Sequence, residues 1–90
     1  MKEIHYKVRR KGSNPPEYNK GTMYRQWSEK GKTFDTIGKL RSFLTRCIHD
    51  DYMLKTMHEF EIIELEVRVL NVKEVHDIVK PEKLIELLKA

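Results

Sequence analysis

A run of apolar residues at three- and four-residue spacing constrains the fold of this chain more than any other feature. These residues share one side of a helix and are Ile37, Leu40, Leu44, Cys47 and Ile48. The spacing predicts an amphipathic helix over residues 36–49. Asp35 stands directly before it, where a carboxylate can accept hydrogen bonds from the free first-turn amides and act as the N-cap. Such a helix must cover an apolar partner surface.

Alternating apolar residues supply that partner surface. Ile4, Tyr6 and Val8 alternate with charged residues and predict a first strand with one buried face. The clearest alternation covers residues 60–70 and predicts one long strand. Its inward residues are Ile63, Leu65, Val67 and Val69, and its solvent-facing residues include Glu64 and Glu66. A further, weaker strand is predicted over residues 22–27.

The remaining segments complete a prediction of one α+β domain over residues 1–90. Turn-forming residues predict an exposed loop over residues 10–22. Residues 72–79 suit either a strand or a helix, and their β-branched content favours a strand or extended link over part of the segment. Pro81 favours the start of a short C-terminal helix over residues 81–90. We expect a small, mostly antiparallel sheet of three or four strands, with one main helix packed on a face.

The segment from Trp27 to Leu44 reads W-S-E-K-G-K-T-F-x-x-x-G-K-L-R-x-F-L. It resembles a motif of small uncharacterised proteins encoded by tailed bacteriophages, in which aromatic-Ser-x-x-Gly-Lys-x-aromatic leads into Ile-Gly-x-Leu-(Lys/Arg)-x-His-Leu. A later strand of that family is similar to Glu61-Ile-Ile-Glu-Leu-Glu66, and the resemblance spans residues 23–69. Phe43 stands where many relatives carry histidine, so no role of that imidazole transfers. The resemblance implies a phage origin and a fold, and no chemistry.

Charge is distributed unevenly along the 90 residues, whose formal net charge is +4. Residues 1–48 carry twelve Lys and Arg against four acidic residues, a net +8, and residues 49–90 carry six against ten, a net −4. Such asymmetry favours a basic binding face for nucleic acid or for an acidic protein surface. Cys47 is the single cysteine and cannot form an internal disulfide, which favours a reducing cytoplasm, here that of a bacterial host. No signal peptide or membrane span is predicted.

Basic side chains of the N-terminal half are the candidate anion-binding or partner-binding residues. They are Arg9, Arg10, Lys11, Arg25, Lys30, Lys32, Lys39 and Arg41. Lys30-Gly31-Lys32 forms a turn signal before the main helix, so Lys30, Lys32, Lys39 and Arg41 could converge at the helix start, which itself favours anions. Tyr18, Tyr24 and Trp27 are candidate stacking partners for bases, although interleaved aromatic residues also suit a core.

Catalytic and metal-binding patterns are weak in this sequence. Cys47 and His49 are the one close pair of soft ligands, and nothing nearby completes four-coordinate spacing. The Lys30–Lys32 turn lacks the spacing of a P-loop. We therefore predict a non-enzymatic protein without a cofactor, a metal site or catalytic residues. Its expected partner is a host or phage protein, with nucleic acid as the alternative; the sequence leaves the oligomeric state open and allows a homodimer.

Overall fold

The computed structural model describes residues 3–22, 25–66 and 69–89. Within those ranges one antiparallel sheet has the strand order β3-β2-β1-β4-β5. The strands are β1 (His5–Arg10), β2 (Tyr18–Asn19), β3 (Trp27–Ser28), β4 (Phe60–Leu65) and β5 (Val69–Glu74). The helices are α1 (Ile37–Ile48), α2 (Asp51–Thr56), a 3-10 turn (Met57–Glu59), α3 (Val75–Ile78) and α4 (Glu82–Lys89). The α+β class is confirmed, whereas the expected three or four strands and one main helix understate the five strands and several helices.

One face of the sheet packs against the helices and forms the core. Val8 lies directly opposite Ile62 in the β1–β4 register, and both side chains are fully buried. The helices contribute the other main members of this core, which are Leu40, Phe43, Leu44, Cys47, Met53, Met57, Val75 and Leu84. Phe43, which is not part of the predicted apolar stripe, is therefore a core residue.

A hairpin replaces the single strand predicted over residues 60–70. The chain leaves β4 at Leu65 and returns as β5 from Val69, with Ile63 opposite Val72. The predicted side-chain alternation is also wrong: Ile62 faces the helices, while Ile63 is buried on the second face and lies outside the main core cluster. Val67, which was expected to face inward, lies outside the described residues.

Glu64 shows why the predicted alternation fails. The sequence pattern predicted a solvent-facing Glu64, but the residue lies on the same face of the sheet as Ile62, and its side chain is only 15 % exposed. Lys73 of β5 places its ammonium 3.3 Å from the Glu64 carboxylate. A diagonal cross-strand partner thus lets an acidic residue occupy the helix-covered face.

The N-cap of α1 lies one residue later than predicted. Thr36 has an extended backbone, and its hydroxyl accepts a hydrogen bond from the Lys39 amide at 3.2 Å. Asp35 instead forms an exposed ion pair with Lys39 at 2.8 Å, which holds the pKa of the Asp35 carboxyl below its ordinary value. Thr36, rather than Asp35, is the N-cap.

The remaining segments differ in detail from the sequence-based expectations. Strand β2 lies inside the segment 10–22, and its Asn19 is fully buried. Of the segment 22–27, only Trp27 belongs to a described strand, and Met23 and Tyr24 lie outside the described residues. The segment 72–79 continues β5 to Glu74 and then forms α3, so both secondary structures occur in it.

Candidate functional site

A groove of about 450 Å³ runs between the start of α1 and the segment that precedes it. Its lining residues are Lys32, Phe34, Thr36, Gly38, Lys39, Ser42 and Arg46. Phe34 anchors the preceding segment to β1, because its amide and carbonyl each form a 2.8 Å hydrogen bond with the backbone of Tyr6. The Phe34 ring is buried and lies 5.4 Å from the ring of Phe43, measured between centroids. The groove therefore has an aromatic floor that is fixed by the sheet and by α1.

Cations surround this floor. The Lys32 ammonium lies 5.4 Å from the centroid of the Phe34 ring, and the Arg46 guanidinium lies 6.0 Å from that of Phe43. Lys39 is paired with Asp35, but across the described parts of the chain neither Lys32 nor Arg46 forms an ion pair. Helix α1 carries three basic residues and no acidic one. The groove wall is thus a positively charged surface with two available cations.

The first turn of α1 adds to the positive potential of the groove. The macrodipole of this twelve-residue helix favours negative charge at its N-terminal end. Gly38 opens the groove at this point, since a Cβ atom there would meet only the Thr36 hydroxyl, at 3.9 Å. No other described backbone segment approaches Gly38 closely enough to require a glycine at this position.

The structure brings together only part of the predicted basic set. Lys32 and Lys39 line the groove, as expected of a cluster at the helix start. Arg41 is exposed on α1 without lining the groove. At the turn, the Lys30 carbonyl accepts a hydrogen bond from the Lys7 ammonium at 2.7 Å. Arg25 is exposed, with a φ of 47°.

Three further basic residues of that set are paired with acidic residues. The Arg9 guanidinium is 2.6 Å from the carboxylate of Glu61. Arg10 contacts Glu17 at 3.2 Å and Glu59 at 3.4 Å, and Lys11 contacts Glu74 at 2.6 Å. Because β1 lies beside β4, acidic residues of the C-terminal half neutralise the most basic stretch of the N-terminal half.

Arg46 is the groove residue that the sequence reasoning missed. Its spacing from Lys39 and Ser42 follows the i, i+3, i+7 pattern of one helix face. The sequence signal for Arg46 is its position on the polar face of α1, which it shares with Lys39 and Ser42.

The candidate stacking aromatics lie away from the groove. Tyr18 pairs with Arg9 in the β1–β2 register and has the Lys7 ammonium 4.6 Å from its ring centroid. Trp27 packs edge-on against Phe60 with 5.5 Å between ring centroids. Tyr24 lies outside the described residues. Tyr18 and Trp27 therefore contribute nothing to the lining of the groove.

Other chemistry receives little support from the described side chains. Burial raises the pKa of the Cys47 thiol to about 12, so the thiol stays protonated at neutral pH and is a poor nucleophile. Within residues 3–22, 25–66 and 69–89, no group of three His, Cys, Asp or Glu side chains could hold a metal ion. In the same ranges no helix has the length and apolar character required to cross a bilayer.

No protein-family model, curated protein or solved structure matches this chain. The resemblance of the Trp27–Leu44 segment to tailed-phage proteins therefore stays a prediction.

Proposed function

We propose that this chain is a non-enzymatic, phage-type accessory protein that binds and modulates a host or phage protein. The groove beside α1 receives an acidic segment of that partner. One observation carries the proposal: Lys32 and Arg46 flank an aromatic floor and form no ion pair with any described residue. The proposal implies the cytoplasm of a bacterial host, where a lone cysteine such as Cys47 stays reduced.

The shape and charge of the groove suit a short acidic peptide. Carboxylates of the peptide would meet the Lys32 ammonium and the Arg46 guanidinium, and arginine can hold a carboxylate through two parallel hydrogen bonds. Apolar parts of the same peptide would pack over Phe34. A partner of this kind uses both the charged walls and the apolar floor, whereas a bare phosphate uses only the walls.

Nucleic acid is the second candidate, and the basic character of α1 favours it. Arg41 and Arg46 are exposed on this helix, and Lys32 lies beside it. Phosphate groups along a backbone could contact such a row of cations. The pairing of Arg9, Arg10 and Lys11 with carboxylates, and the position of Tyr18 and Trp27 away from the groove, place this candidate second.

A fluorescence titration separates the two candidates. The probes are a labelled peptide rich in Asp and Glu, and short single-stranded and duplex oligonucleotides, each at two salt concentrations. The test variant is Lys32→Gln/Arg46→Gln, which removes the two available cations and keeps most of each side-chain stem. Lys55→Gln/Lys83→Gln is the matched control, because it removes the same charge from exposed positions on α2 and α4.

We expect the acidic peptide to bind the wild-type chain and the control, and to bind the groove variant at least about tenfold more weakly, as loss of two charge-assisted contacts implies. If nucleic acid is the ligand, the oligonucleotides bind instead. For about four phosphate contacts, the slope of log affinity against log salt is then roughly −2.8 for single strands and −3.6 for duplex. Equal binding of the groove variant and the control would show that the groove is not the site.

A further inference from the structure

The two edges of the sheet differ in what they offer to another chain. β3 forms one edge and has two residues, so it presents little backbone for pairing. β5 forms the other edge and has six residues. Its apolar side chains are exposed, with 43 % of Val69 and 50 % of Val72 accessible. An exposed strand of this length and character is a ready template for pairing.

The phase of the backbone hydrogen bonds identifies which groups of β5 are free. The Lys11 amide donates to the Glu59 carbonyl at 2.7 Å, so Glu59 directs its backbone polar groups toward β1. Because these groups alternate along an antiparallel strand, Ile62 and Glu64 direct theirs toward β5. Their register partners are Lys73 and Asn71.

The same alternation then applies to β5 itself. Lys73 and Asn71 use their amides and carbonyls within the sheet, which leaves the amide and carbonyl of Val72 directed at the free edge. An independent contact supports this phase: Tyr6, opposite Glu64, makes its backbone hydrogen bonds with Phe34, away from β4. Among the described residues, Val72 thus has no backbone partner on its outer side, and its side chain is half-exposed.

We propose that β5 pairs with β5 of a second copy of this chain, antiparallel, with Val72 opposite the partner's Val72. The two central residues then exchange their outward N–H···O=C hydrogen bonds across a twofold axis. A twofold interface of this kind uses the same surface on both subunits. Two sheets join into one, and the exposed Val72 side chains cover each other on the second face.

The charges along β5 favour this register for a second copy of the chain. With Val72 at the axis, Asn71 faces the partner's Lys73, and Leu70 faces the partner's Glu74, so no like charges are directly opposite each other. A shift of two residues in one direction centres Lys73 on the partner's Lys73, and a further shift centres Glu74 on the partner's Glu74. Like charges directly opposite each other destabilise a strand pair.

A shift of the register toward the start of β5 is unfavourable, because it requires Leu70 in a central hydrogen bond and the register with β4 skips Leu70 at the bulge. Lysine on an edge strand often prevents pairing. Here Lys73 is paired with Glu64 on the helix-covered face, so its ammonium does not block pairing of another strand at this edge.

The first test measures the mass of the wild-type chain by light scattering and sedimentation from micromolar to millimolar concentration. We expect a concentration-dependent dimer. Val72→Pro removes the outward amide and no hydrogen bond within the sheet, so the fold persists and the dimer weakens by about tenfold or more. Val72→Thr is the matched control, since it keeps the amide and a β-branched side chain, and it should dimerise like the wild type.

The second test locates the twofold axis by cross-linking. Cα atoms of a hydrogen-bonded antiparallel pair lie about 5.5 Å apart, which is within the range of Cα separations found in disulfides. Val72→Cys should therefore form a disulfide-linked dimer on mild oxidation, while Asn71→Cys, placed opposite the partner's Lys73, should not. Cys47 is buried and does not interfere. A wild-type chain that stays monomeric, or a dimer that is indifferent to Val72→Pro, would overturn the proposal.

Discussion

Gly31 illustrates how a single backbone position ties the N-terminal half together. Its φ is 64°, and a Cβ atom built there would run into the Cβ of Tyr18 and would approach the Asn19 carbonyl to 2.8 Å. The neighbouring Lys32 amide donates to that same carbonyl at 2.8 Å. The turn before α1 is therefore packed directly on β2, which sets the position of Lys32 at the groove.

We expect Gly31→Ala to reduce the free energy of unfolding by about 2–5 kcal/mol, because left-handed strain and steric overlap add together. Gly12→Ala is the matched control. Gly12 has a similar φ of 72°, but a Cβ atom added there would meet nothing within 4 Å, so only the strain of about 1–2 kcal/mol applies. Urea denaturation of the two variants measures the difference. Equal losses would mean that the contact with β2 relaxes freely.

Among the secondary-structure elements, the start of α1 separates two residues that look equivalent in the sequence. Asp35 and Thr36 are both N-cap residue types. Thr36 caps the helix, and Asp35 forms the exposed pair with Lys39. Which of two adjacent candidates becomes the cap depends on where the preceding segment turns, and here the bridge from Phe34 to Tyr6 determines that point.

Thr36→Ala should cost about 0.5–2 kcal/mol of stability, because the Lys39 amide loses its acceptor. Asp35→Ala should cost less, since its carboxylate is exposed to solvent. The small contribution of the Asp35 carboxylate to the free energy of unfolding decreases at acidic pH. The folded-state pKa is lowered, so the contribution is present above the ordinary pKa of 3.8 and is lost as the pH falls through the folded value. Thermal unfolding at neutral and acidic pH compares the variants; a larger loss in Asp35→Ala would contradict the assigned cap.

The phase of strand β4, like the N-cap of α1, cannot be predicted from local sequence alone. Phe60, Ile62 and Ile63 are all fully buried, so burial does not follow a strict alternation along this strand. A pattern with period two identifies a strand, but two apolar residues in succession leave its phase undetermined. The helix layer decides that phase, because it covers the face that carries Val8 and Ile62.

Across the molecule as a whole, the sheet places opposite charges side by side. The N-terminal half has a net charge of +8 and the C-terminal half −4. Strand pairing sets Arg9 beside Glu61 and Lys11 near Glu74, so much of this polarity in the sequence is neutralised in space. Positive charge persists where α1 carries no acidic residue, and that is why the groove is basic.

A double-mutant cycle on Arg9→Gln and Glu61→Gln tests this cross-sheet pairing. Both side chains are partly buried and their charged atoms are 2.6 Å apart, so we expect a coupling free energy of about 0.5–1 kcal/mol at low salt. The exposed Asp35–Lys39 pair serves as the comparison and should show weaker coupling that disappears at high salt. Denaturant unfolding gives each value. A coupling free energy near zero for Arg9 and Glu61 would indicate that this ion pair does not stabilise the pairing of β1 with β4.

Features that depend on local spacing could be predicted from the sequence. The amphipathic stripe predicted α1, alternation predicted β1, and the cluster of Lys32 and Lys39 at the helix start followed from their positions beside it. These features are recoverable because a helix or strand imposes its own period on the residues within it. The α+β class follows from the presence of both periods.

Features that depend on which segments meet were set by long-range packing. The hairpin between β4 and β5, the phase of Ile62 and Ile63, and the neutralisation of Arg9 by Glu61 each require a neighbour distant in sequence. Arg46 joins the groove because α1 packs beside Phe34, and Val72 is exposed because β5 lies at an edge. Local patterns carry no information about such pairings, since burial and ion pairing depend on the tertiary neighbours of a residue as well as on its type.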